Sequence, residues 1–494
     1  MLYHVELRDI GDVEPAETSG CGVRTKRMGE ESAVTENVDS RLPDRRVGHR
    51  VLIASLIGNF MEWYDFAVYG FFAVVIGSVF FPSESPTVEL LSSLAVFGVA
   101  FFFRPVGGFL FGAIGDRYGR RVSLAAAIIL MSVATTLIAL LPSYATAGLL
   151  APILLVTLRS LQGVSVGGEW TGASAFIVEY ASDARRGRWG SLISTTAALG
   201  VIFGSTLALI LQTNLSAAAM GSWGWRVPFL IAAPLGAAGL YLRLRLDDTP
   251  VYRTIQRQNR VTTTPIRRAF RESPGAILLT FAFSGVSATG FYYLVTYMVN
   301  FLSETAGYPR TDAIFISLIG IVVYASLCPL AGLLSDYIGR RWVLLIGCAG
   351  HAILALPIFF LLGSGAVPLA VLGLCVYTVS QSMLNVMNSV ILIELFEAET
   401  RMTAASIGYN LGAGPVAGVG PVLAGTLVAA TGSAFAPAWY LIAIAAAGGL
   451  ALWWFLPETR GVSLTAPATA DESAMPASPA TTGYGHRGAG SSDS

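Results

Sequence analysis

Two short stretches of the chain match: residues 115–121 read Gly-Asp-Arg-Tyr-Gly-Arg-Arg, and residues 335–341 read Ser-Asp-Tyr-Ile-Gly-Arg-Arg. The aspartate, the glycine after it and both arginines recur at an interval of 220 residues. Glycine permits a tight turn between helices, and an aspartate can cap a helix start and answer its positive end. Arginines alone would be enough to set the orientation of a membrane loop, and orientation would not require an aspartate and a glycine at matched positions. The matched aspartate and glycine therefore indicate a duplicated structural unit.

The chain is much less charged than a soluble protein. Of its 494 residues, 54% are hydrophobic and 13% are charged, whereas soluble domains carry about 25% charged residues. Twelve continuous apolar stretches reach the length of about 20 residues that a membrane-crossing helix needs. A transmembrane β-barrel would instead show weak alternation over segments of about ten residues. We predict spans near residues 51–81, 89–114, 122–141, 147–180, 189–212, 226–246, 274–303, 311–334, 342–362, 366–396, 402–431 and 435–456.

The loop arginines predict the orientation of these spans. Cytoplasmic loops carry an excess of arginine and lysine. With the N-terminus inside, the outer loops hold only Arg310 and the borderline Arg226. The inner loops then hold Arg117, Arg120, Arg121, Arg185, Arg186, Arg188, a cluster from Arg243 to Arg271, Arg340, Arg341 and Arg401. We therefore expect a multi-pass protein of the cell inner membrane with both termini in the cytoplasm, which requires an even number of spans.

The repeat and the spans together predict the domain organisation. The expected fold class is an all-α membrane protein with twelve transmembrane helices in two six-helix pseudo-repeats. Such repeats suit alternating access, in which two bundles rock around a site near the midplane. The predicted units are a disordered cytoplasmic tail (1–48), an N-terminal bundle (49–246), a cytoplasmic linker (247–273), a C-terminal bundle (274–461) and a second disordered cytoplasmic tail (462–494).

Further motifs narrow the family. Gly-Asn-Phe-Met-Glu-Trp-Tyr-Asp-Phe occupies 58–66, Arg-Pro-Val-Gly-Gly occupies 104–108, and Arg-Ser-Leu-Gln-Gly-Val-Ser-Val-Gly-Gly-Glu-Trp occupies 159–170. Trp-Gly-Trp-Arg-Val-Pro-Phe-Leu follows at 223–230. The duplicated loop resembles the signature of the major facilitator superfamily. These segments, in this order, resemble its metabolite:proton symporter branch.

The resemblance implies proton-coupled import of a small metabolite. Members of that branch import organic acids or zwitterions such as 2-oxoglutarate, shikimate, citrate, dicarboxylates, proline and betaine. Two positions depart from the family pattern. Thr171 stands where glycine is common, and Asp248 stands where a glutamate often precedes the proline. Neither departure alters the expectation of a transporter.

Charged residues inside the spans are the candidates for coupling, because a charge in a bilayer is costly and usually marks a pathway or a partner. Glu62, Asp65 and Glu169 are the proton-coupling candidates. Glu62 and Asp65 share one helix face at a spacing of three residues. One of these two acids carries protons, or they form structural ion pairs with Arg104 or Arg159. The two roles are compatible. Glu169 pairs with an arginine or carries a proton.

Arg104 and Arg159 are the intramembrane cations that the sequence suggests. A guanidinium offers a planar fork suited to a carboxylate, so Arg104 binds an anionic substrate group, orders the gate, or forms a structural ion pair. Polar residues of the later spans form the second wall of the site or bond between helices. The predicted substrate-binding set is Arg104, Arg159, Gln162, Tyr292, Tyr293, Asn385 and Asn388.

The duplicated loops and two glutamates predict a gate. Glu179 and Glu394 lie beside arginine-rich loops at the ends of the fourth and tenth spans, where ion pairs are expected. The predicted gating set is Asp116, Arg117, Gly119, Arg120, Arg121, Glu179, Asp336, Gly339, Arg340, Arg341 and Glu394.

The function predicted from the sequence is secondary active transport, a proton-coupled symport of a small organic acid or zwitterion. An exporter or a sugar-type transporter of the same fold is the alternative, and a membrane metabolite sensor is an alternative of another class. Nucleophile elbows, phosphate-binding loops and metal clusters are lacking in the sequence, so we expect no enzyme activity, no cofactor and no metal. The expected partners are the substrate, protons and lipid; we expect a monomer that binds no nucleic acid.

Overall fold

The computed structural model describes residues 45–465, with side chains from Leu52 onward except that of Thr87. Within this range every regular element is helical, and twelve helices are long and apolar enough to cross a membrane. The spans are Leu52–Phe80, Val88–Tyr118, Arg120–Leu140, Leu150–Tyr180, Asp183–Asn214, Ala217–Leu244, Pro274–Thr305, Arg310–Ile338, Arg340–Leu362, Val367–Glu394, Arg401–Thr431 and Ala436–Phe455. The predicted tails, 1–48 and 462–494, lie outside the described residues apart from 45–48 and 462–465.

The helices extend beyond the spans at some ends. The first helix begins at Arg45 and the second at Pro86. Shorter helices lie between spans at Tyr144–Ala147, Pro250–Arg257 and Pro265–Glu272, and the short helix Asp183–Arg185 begins the fifth span. Short π-helical turns interrupt three spans at Met220–Gly224, Tyr293–Tyr297, Phe301–Thr305 and Gly412–Val416. Such turns often mark functional positions, and those of the seventh and eleventh spans adjoin the residues described below.

The duplicated loops are single-residue breaks. Gly119 separates the second and third spans with a φ of 108°, and Gly339 separates the eighth and ninth with a φ of 103°. Residues with a side chain rarely adopt this conformation, so glycine is required at both turns. Each turn makes the following arginine, Arg120 or Arg340, the first residue of the next helix. We call the side of the protein that carries these two turns the motif end.

The helices pack in a repeated order. In the first half the second span packs on the fourth and the third on the sixth; the eighth and tenth, and the ninth and twelfth, do the same in the second half. Between the halves, the second span packs on the eleventh and the fifth on the eighth. These two interfaces are equivalent under the repeat. The predicted fold class, twelve helices in two six-helix pseudo-repeats, is confirmed.

Small residues bring the second and fourth spans together. A Cβ on Gly163 would lie 2.3 Å from the carbonyl oxygen of Ala100, and one on Gly167 would lie 2.2 Å from that of Arg104. Only helices whose backbones touch leave so little room, as is typical of small residues at membrane helix interfaces. The close contact places Arg104 and Arg159 on adjoining helices of the first half.

Candidate functional site

One buried cluster surrounds Asp65 inside the first half. Arg159 Nη1 lies 2.7 Å from Asp65 Oδ2, and both side chains are at most 1% exposed. Gln162 donates to Asp65 Oδ1 at 3.0 Å and to Thr135 at 2.6 Å. The Arg159 guanidinium lies 3.6 Å from the centroid of the Tyr69 ring. The Asp65 carboxylate therefore accepts hydrogen bonds from the Arg159 guanidinium and the Gln162 amide, as expected for a carboxylate in a dry interior.

A second buried cluster, around Arg104, joins the two halves. Arg104 Nη2 lies 3.3 Å from Glu62 Oε1. The same guanidinium donates to the Tyr292 hydroxyl at 3.1 Å, the Tyr409 hydroxyl at 3.3 Å and Asn410 Oδ1 at 3.5 Å. Tyr292 belongs to the seventh span, and Tyr409 and Asn410 belong to the eleventh. Arg104 thus pairs with an acid of its own half while its remaining donors bind neutral groups of the other half.

A third buried ion pair involves Glu169. Its Oε1 lies 2.5 Å from Arg243 Nη2, and Arg243 also donates to the carbonyl oxygens of Ala54 at 2.9 Å and Leu124 at 2.5 Å. From the sequence, Arg243 was assigned to the inner-loop arginines, and only Arg104 and Arg159 were expected to be intramembrane cations. That assignment is wrong, because Arg243 is 3% exposed inside the sixth span. Its position within the predicted span 226–246 was the available signal.

Tyr292, among the residues predicted for the second wall, contacts Arg104. Asn385 accepts from Ser287 at 2.7 Å and donates to the Tyr324 hydroxyl at 2.7 Å. Asn388 accepts from Ser284 at 2.7 Å. Both amides therefore bind neighbouring helices of the second half. The Tyr293 ring packs on Tyr297 with 4.9 Å between centroids, and no contact joins it to Arg104.

Aromatic rings from both halves meet beside Arg104. The Trp63 ring lies 4.6 Å from that of Phe291 and 5.9 Å from that of Tyr292, measured between centroids. Phe101 lies 5.2 Å from Tyr292 and 5.4 Å from Phe66. We call Trp63, Phe66, Phe101, Phe291 and Tyr292 the ring cluster. The sequence did not predict this cluster, because aromatic residues are common in membrane helices and their spacing does not indicate which residues of the two halves are in contact.

The aspartates of the duplicated loops bind helix starts in the opposite half. Asp116 accepts hydrogen bonds from the backbone N–H groups of Met402 at 3.1 Å and Thr403 at 2.8 Å, at the start of the eleventh span. Asp336 accepts from the N–H groups of Gly187 at 2.8 Å and Arg188 at 3.1 Å, near the start of the fifth. The predicted capping role is present in both copies, and the capped helix in each case belongs to the other half.

The two glutamates complete the motif-end network. Glu179 lies 2.9 Å from Arg401 and 3.5 Å from Arg120. Glu394 lies 3.3 Å from Arg340 and 3.6 Å from Arg186. Each glutamate therefore binds one arginine of its own half and one of the other.

The remaining loop residues attach the ends of the sixth and twelfth spans. Asp248 accepts from the backbone N–H groups of Arg120 at 3.1 Å and Arg121 at 3.3 Å. Glu458 accepts from those of Arg340 at 2.8 Å and Arg341 at 3.2 Å. The Arg117 carbonyl accepts from the Tyr252 hydroxyl at 3.1 Å. The whole network is thus duplicated, as the two loops are.

Comparisons with known proteins agree with this architecture. The model of the Major Facilitator Superfamily matches residues 55–418 and 329–486. The chain belongs to the Major Facilitator Superfamily. The glycine betaine/proline/ectoine/pipecolic acid transporter OusA of Dickeya dadantii (strain 3937) is 36% identical over 436 residues, which cover 85% of this chain and 86% of that protein. The proline/betaine transporter of Escherichia coli (strain K12) is 38% identical over 413 residues, 81% of each chain.

A solved structure shows the same superfamily fold. The proton:xylose symporter XylE bound to 6-bromo-6-deoxy-D-glucose superposes with a TM-score of 0.73 at 19% identity, over 85% of this chain and 98% of that one. The predictions that the chain is a multi-pass membrane transporter of this superfamily, and that it is not an enzyme, are confirmed.

The motif-end contacts predict how the two halves separate. Asp116→Asn removes the negative charge that faces the start of the eleventh span. The interaction of such a charge with a helix N-terminus is worth about 1 kcal/mol, which is roughly a fivefold change in a two-state ratio. We expect a larger population with the motif end open. Double electron–electron resonance between spin labels at positions Arg185 and Tyr337, in a cysteine-free background, measures the distance between the halves at the motif end. The fraction of molecules with the longer distance should increase.

Asp247→Asn provides the control for this measurement. Asp247 is an exposed carboxylate. Among the residues that the structure describes, its only ion pair, at 3.7 Å from Arg253, stays within the linker. We expect the native distance distribution in this variant. An unchanged distribution in Asp116→Asn would contradict the view that these contacts hold the motif end closed.

Proposed function

We propose that this chain imports a small zwitterion of the proline or betaine type together with protons, across a bacterial cytoplasmic membrane. The observation that carries the proposal is Arg104, a buried guanidinium at the meeting point of the two halves whose donors reach the seventh and eleventh spans. The named substrates of the relatives, proline and betaine, carry a carboxylate and a cationic nitrogen. A zwitterion therefore needs one anion-binding and one cation-binding element.

Arg104 supplies the element for the carboxylate. Its present partners across the interface are two hydroxyls and an amide oxygen, all neutral, at 3.1–3.5 Å. A substrate carboxylate makes stronger, charge-assisted bonds with a guanidinium than these groups do. Replacing them with the substrate loosens the contacts between the halves, so binding is coupled to their separation.

The ring cluster supplies the element for the cationic nitrogen. A quaternary ammonium has no N–H group, and aromatic faces are the surfaces that recognise it. Trp63 and Phe101 come from the first half, and Phe291 and Tyr292 come from the second. Tyr292 touches both Arg104 and the other rings, so the two elements lie within the reach of one small molecule.

The buried acids supply the coupling to protons. Asp65 and Glu62 lie one helical turn apart, and each faces an arginine of the first half. Protonation of an acid releases its arginine for other partners. Each charge that moves down a potential of 100 mV releases about 2.3 kcal/mol, and this energy concentrates substrate if the halves switch only when both substrate and proton are bound.

The motif end is the proposed cytoplasmic gate. Both termini then lie in the cytoplasm, because the arginine-rich loops of a membrane protein face that side. The contacts of Asp116, Asp336, Glu179 and Glu394 join the halves at that end. The substrate would enter from the opposite side and leave when these contacts separate.

Uptake into proteoliposomes tests the proposed function. We expect the wild-type protein to accumulate labelled proline or glycine betaine under an imposed pH gradient, and only to equilibrate it without one. Arg104→Lys replaces the guanidinium fork with a single ammonium group. Because a hydrogen bond to a charged group is worth about 1.5–3 kcal/mol, we expect the apparent affinity to fall by roughly tenfold to a hundredfold.

Arg226→Lys is the matched control for Arg104→Lys. Arg226 also lies in a span, and it donates to the carbonyl oxygens of Ala139 at 2.6 Å and Leu141 at 2.8 Å, away from the half interface. Its uptake is expected to match the wild type. Native affinity and rate in Arg104→Lys would remove Arg104 from the substrate site, and a wild type that never concentrates either solute would reject the symport itself.

The ring cluster predicts a change in substrate preference. Trp63→Leu removes an aromatic face, so glycine betaine affinity should fall by about twofold to thirtyfold, the range of a cation–π interaction. Proline keeps N–H groups for other bonds and should lose less. Competition between the two solutes in the uptake assay measures the ratio. Trp454→Leu changes a 76% exposed tryptophan and serves as control; equal losses for both solutes in Trp63→Leu would argue against the ring cluster as the ammonium site.

A further inference from the structure

A small cavity separates two of the buried acids of the first half. It measures about 10 Å³, and its walls include Gly58, Glu62, Ser165 and Glu169. A volume of about this size holds the centre of one water molecule. The cavity is therefore wide enough for one water between the carboxylates of Glu62 and Glu169, which lie on the first and fourth spans.

Glu62 is poorly satisfied where it faces this cavity. Neither of its carboxylate oxygens has a hydrogen-bond partner in the part of the chain that the structure describes. Its contact with Arg104, at 3.3 Å, is an ion pair only. A buried carboxylate without hydrogen bonds costs free energy, and either a bound water or a proton removes that cost.

Gly58 allows Glu169 to approach the first span. A Cβ at residue 58 would lie 1.9 Å from Glu169 Oε1 and 2.4 Å from Arg243 Nη2, so any other residue would displace the ion pair. Gly58 precedes Glu62 by one helical turn, on the same face and closer to the motif end. Glu169 therefore lies one step from Glu62 in the direction of the motif end.

Arg243 continues the row of polar groups toward that end. Its guanidinium binds Glu169 and two backbone carbonyl groups, those of Ala54 and Leu124. A second, narrower recess is lined by Ala54, Leu124, Arg243 and Arg121. Arg121 belongs to the duplicated loop, so polar groups extend from the midplane to the motif end inside the first half.

We propose that protons leave through the first half, from Glu62 by one water to Glu169 and then to the motif end, apart from the route of the substrate. This inference rests on the proposed proton coupling. As the O–H bond of protonated Glu62 breaks, its proton forms a new O–H bond with the bridging water. One of the water's original O–H bonds then breaks, and that proton forms an O–H bond on Glu169. Glu169 then releases its proton to water at the motif end, and both carboxylates are ionised again.

Arg243 is a positioning residue in this route. Its guanidinium binds the Glu169 carboxylate and keeps it beside the cavity. When Glu169 is protonated, the two backbone carbonyl groups still satisfy the guanidinium. The charged groups that face the route are Arg104 and Asp65 beside Glu62, and Arg243 and Arg121 beyond Glu169. The titratable but neutral hydroxyl groups of Tyr292 and Tyr409 lie behind Arg104.

The test compares accumulation with exchange in proteoliposomes. Exchange of internal for external glycine betaine at equal pH needs no net proton release, whereas accumulation under a pH gradient does. In Glu169→Gln we expect accumulation to fall by at least about a hundredfold, the lower end of what a proton-transfer group contributes, while exchange stays within about twofold of the wild type. A native ratio of accumulation to exchange would overturn the proposal.

A second variant controls for misfolding of Glu169→Gln, which leaves a buried arginine without its partner. The double variant Glu169→Gln/Arg243→Gln removes both charges and should also exchange without accumulating. Loss of exchange in both variants would overturn the route, because the pair would then serve the alternation itself. Glu84→Gln, at an exposed position, should behave as the wild type. Failure of the wild type to accumulate would reject proton coupling itself and the route with it, whereas a native ratio in Glu169→Gln beside an accumulating wild type would reject the route alone.

Discussion

Every arginine buried among the apolar helices must be neutralised where it lies. A buried charge without a partner costs several kcal/mol, and removal of one member of a buried pair is more damaging than replacement of both. The structure meets this requirement with carboxylates and carbonyl oxygens. Arg159 pairs with Asp65, Arg243 with Glu169, Arg104 with Glu62, and Arg401 with Glu179. The positions of these pairs determine which surfaces can separate.

The pairs fall into two groups with different consequences. Those of Arg159 and Arg243 stay within the first half and survive when the halves move apart. Arg104 pairs with Glu62 inside the first half but also donates to hydroxyl groups of the second half. These hydrogen bonds and the cross-half ion pairs of Glu179 and Glu394 bridge the halves, so any change in the charge of these groups alters the balance between closed and open forms. Substrate binding and protonation are both changes of this kind. The same requirement for neutralisation that stabilises the bundle therefore also couples proton, substrate and movement.

The fold was largely predictable from the sequence, and the site was predictable in part. The spans could be predicted from continuous apolar runs. The repeat could be predicted from the loops at Gly119 and Gly339, because these turns depend on local backbone geometry that a short motif encodes. The cross-half partners were harder to foresee, because the sequence separation of 306 between Arg104 and Asn410 leaves no periodic signal. The ring cluster was not predicted, for the same reason. The burial of Arg243 was not predicted because an arginine near the end of a helix looks like a loop arginine in the sequence.

The most direct measurement of the central claim is the internal pH of proteoliposomes during substrate entry. A pH-sensitive dye inside the vesicles reports proton movement when glycine betaine is added without any imposed gradient. The account predicts acidification of the interior that is driven by the substrate gradient alone and is lost in Glu62→Gln. Entry of labelled betaine with no change of internal pH would contradict it, since the substrate would then cross without a proton.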